Sequence, residues 1–428
     1  MNTPLPQDPD AHVHTLPNGV RVLTLPLPWL DSVSVSVYIS TGSRDEPAGL
    51  AGISHFVEHM AFKGTATRDG RQLNLDAERL GADVNAHTDK DHTAYHLRGR
   101  ARDAETFIAQ LADIVLQPVF PPDEIEHERQ VILQEYVEDE DDPMSIAFRM
   151  FDVACYGDHP LGHPVIGTRA VIERLGRDDL MAYVQRQYTG GRLIVAVAGP
   201  VDPAAMVRAA ERHFGAMPAG APAPEPPPRW LGGIQVRRIA DSLQSHLVLG
   251  YPIAGVRGRP EAGQLAAAVF GEGMSSPLMH EIREKRGLAY YAACSADVLD
   301  DHGEFLIEVS TAPEHFDEVA REIRRLLLEH ARPGGVPEDE LMRARNLVAV
   351  RRLRAHERPG RRLENAALDL FAFGLVRDPR ARLARLEAVT AAEVEAEFAR
   401  LLAQPVALAA SGKLKRGVQE RLSALYAA

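Results

Sequence analysis

Two cysteines in 428 residues are too few for a disulfide framework or a cysteine metal cluster. Cys155 and Cys294 sit in ordinary apolar surroundings and read as reduced, inert thiols. No apolar run approaches the ~20 residues of a membrane-spanning helix. The opening MNTPLPQDPD lacks the basic and apolar regions of a secretory signal, so the sequence predicts a cytoplasmic chain with no membrane partner. Basic residues are outnumbered, 48 Lys and Arg against 60 Asp and Glu for a net charge of -12, which argues against nucleic acid as the main partner. What remains is ordinary globular material, 45% apolar and 25% charged. At roughly 100 to 200 residues per domain, the length predicts two or three domains. The 17 histidines stand out from this background.

The sharpest composition shift is Ala216 to Arg229, AMPAGAPAPEPPPR, where proline and alanine displace everything able to build a core. It predicts a domain over 1–217, a Pro-rich linker over 218–229 and a second domain over 230–428. The two sides end alike. LIVAVA, Gly-Pro and the helical PAAMVRAAERHFG close the first; VALAA, Ser-Gly and VQERLSALYA close the second. Both also begin with alternating strand patterns before a helix. Two sibling α+β domains, each a mixed, antiparallel-rich sheet covered by helices, are the simplest account. In the second half, Glu338 to Phe371 reads as one long amphipathic helix through Leu341, Leu347, Leu353 and Leu363.

The informative segment is Gly52 to Thr65, GISHFVEHMAFKGT. On a helix, His55, Glu58 and His59 fall within about 100° of arc, and Ile53, Phe56, Val57 and Met60 take the opposite side. The apolar side would dock the helix while two imidazoles one turn apart face a cleft, the spacing that brings two nitrogens to one zinc ion. Glu58 lies beside them, where a general base for water belongs. Zinc needs a third protein ligand, which this pattern alone does not supply. Pro121 to Glu140, PPDEIEHERQVILQEYVEDE, offers one. Asp123 reads as an N-cap with Glu126 three residues on, and Ile125, Ile132 and Tyr136 form a buried face. Glu128 and Glu135 stand two turns apart at the margin of that face, where carboxylates are costly unless they meet a cation. Glu135 as ligand and Glu128 as the carboxylate orienting an imidazole would satisfy both.

HFVEHMAFKGT followed by ERQVILQEY resembles the inverted zinc motif of the pitrilysin/insulinase family of peptidases, which includes the mitochondrial processing peptidase. The resemblance covers nearly the whole chain. It implies one Zn2+ per chain on His55, His59 and Glu135, Glu58 as base, Glu128 in support, and two sibling domains forming half of a clam shell.

In the second half, SSPLMHEIREKRGLAYY reads on its own as a well-terminated helix, with Ser276 as N-cap, Pro277 at the first helical position and Gly287 at the end. Active family members carry a similar REKRGLAY motif, whose first Arg and final Tyr contact substrate carbonyls near the zinc. The resemblance assigns that part to Arg283 and Tyr290. The family's Ser-Ser-Arg-Leu is here Ser-Ser-Pro-Leu, with Pro277 in place of Arg. Ala82 to His96, ADVNAHTDKDHTAYH, resembles the family's edge strand, which adds substrate as an extra strand, and Asn85, Ala86 and Thr88 match it. His87 falls where many relatives place an aromatic residue. His92 and His96 are expected to alternate along a strand as packing or surface residues rather than to form a second metal site. His159 and His163 read as structural loop histidines.

The expectation is a zinc metalloendopeptidase acting on unfolded peptides or short polypeptides inside an enclosed chamber. Because one chain carries both motifs, a homodimer is expected; a heterodimer with a related subunit is the variant. One rival is a dedicated processing subunit paired with an inactive partner. The other is a non-catalytic peptide-binding scaffold; family members of that kind have usually lost the metal motif, whose residues are all present here.

Overall fold

The computed structural model describes residues 5–47, 49–220 and 228–426, so most of the Pro-rich stretch expected at 218–229 lies outside the described residues. Strands fall in chain order as β1 His12–Thr15, β2 Arg21–Pro26, β3 Ser32–Ile39, β4 Asp83–Thr88, β5 Thr93–Arg100 and β6 Leu193–Gly199. They are followed by β7 Gly233–Arg238, β8 Ser245–Ala254, β9 Ala289–Val298, β10 His302–Thr311 and β11 Ala407–Gly412. Two mixed sheets result, ordered β1-β2-β6-β3-β5-β4 and β7-β11-β8-β10-β9. Apart from the extra β1, the orders correspond strand for strand. So do the directions: β2 with β6 and β7 with β11 are the parallel pairs, and the other neighbours are antiparallel. This is the duplicated α+β architecture that the strand-helix endings predict.

Each sheet is covered on both faces, and its central strands β3, β6, β8 and β11 are accordingly buried on both sides along most of their length. In the first sheet, Val33, Val35, Val37, Leu193, Val195 and Val197 face a core with the helices Ile53–Ala61 and Ala104–Leu116. Tyr38, Ile194, Ala196 and Ala198 face the opposite way, onto Leu363, Ala366, Ala367 and Leu370 of the helix Pro359–Phe373. The second sheet repeats the plan. Leu247, Leu249 and Tyr251 face one core, while Val248, Ala407 and Ala409 meet Ala147, Phe151 and Cys155 of the helix Pro143–Tyr156.

Each sheet is therefore closed by a helix from the other half of the sequence. The compact units are the described residues of Met1–Tyr136, His163–Pro226 and Arg354–Pro379, and those of Val137–Gly162, Pro227–Leu353 and Arg380–Ala428. They differ from contiguous halves of 1–217 and 230–428 in these two exchanged segments. A linker marks where composition changes, not which sheet face an amphipathic helix covers. The stretch Glu338 to Phe371 is also not one helix. It divides into Glu338–His356 and Pro359–Phe373, since a proline offers no N–H and restricts the residue before it.

Candidate metal centre

The helix Ile53–Ala61 begins at Gly52, whose φ is +97°. A Cβ there would lie 2.5 Å from Ile166 O, so the position demands glycine. With no capping side chain on Gly52, the first amides go to Glu46, whose Oε2 accepts from Gly52 N (2.8 Å) and Oε1 from Ser54 N (2.9 Å). Burial pushes the Glu46 carboxyl up to about 7 against the pull of these amides. Ile53, Phe56, Val57 and Met60 enter the core, and His55, Glu58 and His59 remain partly exposed on the other side, as helical spacing predicts.

The second contributor is the helix Pro122–Asp141. Its first turn already contains Asp123, so Asp123 is not the cap residue expected from the sequence; Pro122 supplies the start. Ile125 and Ile132 are buried. Buried Arg129 fixes the helix by donating from Nη2 to Leu175 O (2.7 Å) and from Nη1 to Ile172 O. Glu128 is 4% exposed, whereas the Glu135 side chain is 42% exposed.

These elements bring the expected donors together. Glu135 Oε2 lies 3.9 Å from His55 Nε2 and 3.7 Å from His59 Nε2, and one donor atom from each residue lies within 4.8 Å of the other two. Two imidazoles and a carboxylate are the donor types zinc takes, and tetrahedral coordination sets such donors about 3.3–3.5 Å apart. Small side-chain adjustments close the difference, so the residues fit the ion. Behind the set, His59 Nδ1 donates to Glu128 Oε2 (3.1 Å). A carboxylate only accepts, so this contact places a proton on Nδ1, and in the neutral ring the lone pair is then on Nε2. Burial, then the neighbouring His59, hold the His55 imidazole down to about 4, so it is neutral at pH 7. Among the described residues, the buried His55 Nδ1 has no hydrogen-bond partner.

Glu58 accepts a hydrogen bond on Oε2 from Thr88 Oγ1 (2.7 Å). Burial raises its carboxyl above the ordinary range, with Glu135 adding to the rise and Thr88 and His59 opposing it. Thr88 ends β4, the edge of the first sheet. Ala86 packs against the same core as the zinc-motif helix, while Asn85 is exposed and its Oδ1 accepts from Ala86 N. Lys63 escapes the sequence reading. Its Nζ lies 2.6 Å from Glu128 Oε1, and its place one turn after His59 is the signal that could have found it. Glu46 carries no comparable signal, because a loop residue's cap partner is set by chain path.

Arg283 and Tyr290 lie in the second unit. Ser276 caps the helix as expected, its Oγ accepting from Met279 N, but after Met279 the backbone widens into a π-helical turn, His280–Lys285, that carries Arg283. Gly287, at φ +60°, ends it. The β9–β10 ladder then slips: Ser310 pairs with Tyr291 and Thr311 with Ala289. Tyr290 is thus the extra residue of a bulge, a device that re-aims a side chain. The residue is 81% exposed, and the Arg283 guanidinium carbon lies 5.2 Å from the centroid of its ring.

Residues 21–169 match the family described as insulinase (peptidase family M16), and residues 174–348 match the peptidase M16 inactive domain. A protein of Mycobacterium bovis named an uncharacterized zinc protease is 33% identical over 98% of both chains. Another so named, from Rickettsia felis, is 34% identical over 85% of this chain and 88% of its own. A solved protease from Helicobacter pylori shares the fold at TM-score 0.85 and 21% identity, covering 96% of this chain and 100% of that one. No helix among the described residues is long and apolar enough to cross a membrane. With both halves matched and relatives similar along nearly the full length, the chain belongs to the insulinase family of peptidases, family M16.

Proposed function

We propose that this chain is a zinc metalloendopeptidase for unfolded peptides or short polypeptides. The observation that carries the reading is the convergence of one donor atom each from His55, His59 and Glu135 within 4.8 Å of one another beside a carboxylate, Glu58, that serves none of the three positions. Relatives named zinc proteases support it. A zinc ion held by His55, His59 and Glu135 would supply Lewis-acid polarisation of a peptide carbonyl and a lowered pKa for water.

The chain's own groups do the rest. Glu58, fixed on one oxygen by Thr88, takes a proton from the water that attacks the carbonyl carbon and returns it to the amine as the C–N bond breaks. Its upward shift makes it a better proton acceptor while ionised. Glu128 and Lys63 hold the His59 ring in its ligand tautomer. Tyr290 donates a hydrogen bond to the carbonyl oxygen, where negative charge develops, and Arg283 helps to hold the peptide. Asn85, Ala86 and Thr88 offer edge-strand backbone to an extended substrate, a mode of pairing that would tolerate many substrate sequences. A cytoplasmic homodimer completes the proposal. The test is cleavage of an unstructured fluorogenic peptide by the purified chain. Activity lost to a chelator and restored by zinc is expected; full activity in metal-free protein would overturn the reading.

A further inference from the structure

On the opposite face of the same edge strand lies a second convergence of metal-ligand chemistry. Strand alternation sends Ala86 toward the core beneath the zinc-motif helix and His87 the other way, toward the helix Pro359–Phe373. His92 is not a strand residue, as the sequence suggested. It lies in the turn between β4 and β5, tied by Asp89 N donating to His92 O at 2.8 Å. The turn buries its ring to 3% exposure and brings His92 Nε2 to 3.3 Å from His87 Nε2. Glu364 of the helix Pro359–Phe373 completes the group, with Oε1 3.7 Å from His87 Nε2. One donor atom from each of the three residues lies within 4.8 Å of the other two.

The geometry points to a second binding site for a first-row divalent cation, zinc by its ligand set, formed by His87 Nε2, His92 Nε2 and Glu364 Oε1. Three features carry it. The 3.3 Å between the two imidazole nitrogens is the spacing of neighbouring ligands on a tetrahedral ion with metal–nitrogen bonds of about 2.0–2.1 Å. Asp91 Oδ1 accepts from His92 Nδ1 at 2.7 Å, so that in the neutral ring the lone pair is on Nε2, the nitrogen that faces His87. Arg361 holds the other oxygen of Glu364, Oε2, at 2.7 Å, orienting Oε1 toward the imidazoles. Two histidines, one glutamate and a carboxylate behind one ring repeat the plan of His55, His59, Glu135 and Glu128. A bound ion would tie the edge strand and its turn to the helix Pro359–Phe373, directly behind the strand whose Thr88 holds Glu58.

The test uses the full chain, stripped with a chelator, equilibrated at low-micromolar free Zn2+ and analysed for ions per chain, with Co2+ absorption as a second readout. About two ions per native chain are expected. About one is expected in His87→Ala, in Glu364→Gln and, at the other site, in His59→Asn. Circular dichroism of the stripped proteins verifies that each variant folds. His87 and Glu364 are chosen because neither is a core residue. A single ion in the native chain, or a second ion that persists in both His87→Ala and Glu364→Gln, would overturn the proposal; the latter would mark adventitious binding to surface histidines. Failure here leaves the His59→Asn result, and with it the peptidase reading, independently scored.

Discussion

Replacing Glu128 by alanine separates support of a metal ligand from ordinary ion pairing. In the native chain the carboxylate is buried, accepts from His59 Nδ1 at 3.1 Å and pairs with Lys63 Nζ at 2.6 Å. Its loss frees the His59 ring to change tautomer and orientation. Carboxylates in this position typically contribute 10- to 100-fold to metal affinity, or about 1.4–2.8 kcal/mol. Glu128→Gln keeps an acceptor for the ring N–H but loses the charge, so a smaller decrease, about tenfold or less, is expected. Folding should suffer less than for a fully buried pair, because the Lys63 side chain is 32% exposed and its ammonium can recover water; a loss under about 2 kcal/mol follows. Zinc competition against a chelator dye gives the affinities, and urea titration of the stripped proteins gives the stabilities. Unchanged zinc affinity in Glu128→Ala, with or without a stability loss, would refute the reasoning and leave Glu128 as only a partner for Lys63.

Thr88→Val removes the hydroxyl that favours ionised Glu58, so the Glu58 pKa should rise further. The acid limb of the kcat/KM profile should then move to higher pH, while zinc content stays native. Glu46→Ala exposes two amides at the start of the zinc-motif helix and should cost about 1–2 kcal/mol in urea unfolding. Because burial lifts the Glu46 carboxyl from about 4.5 to about 7 in the folded chain, the native state binds its proton more tightly than the unfolded one. Its contribution to stability should therefore decline as pH rises from about 4.5 to about 7, a slope that Glu46→Gln should reduce. Phe151 is 1% exposed and joins the exchanged helix Pro143–Tyr156 to the second sheet; Phe151→Ala should cost about 3–5 kcal/mol in the same assay.

The pairing of His55 with His59 is legible because that link is local, while Glu135, on a separate helix, is reached through the resemblance to the family's motif. Helical period aligns the histidines, and acids at the edge of an apolar face betray a partner on the second helix. The duplication is equally legible, since strand-helix order repeats along the chain. Contacts made at long range are not. Nothing near Glu364 announces His87, and nothing in the Pro143 or Pro359 helices states which sheet each will cover, because an amphipathic face fits either. Tyr290's exposure is hidden for another reason. A bulge is a mismatch between two strands and leaves no period in one of them.

The most direct measurement on the central claim compares the native chain with Glu58→Gln for zinc content and peptide cleavage, side by side. Glu58 serves none of the three donor positions, so the variant should keep zinc on His55, His59 and Glu135 with native affinity. Losing the proton acceptor should cut kcat by about 10²-fold or more. Cleavage at the native rate by zinc-loaded Glu58→Gln, or loss of the zinc together with activity, would contradict the assignment of Glu58 as base.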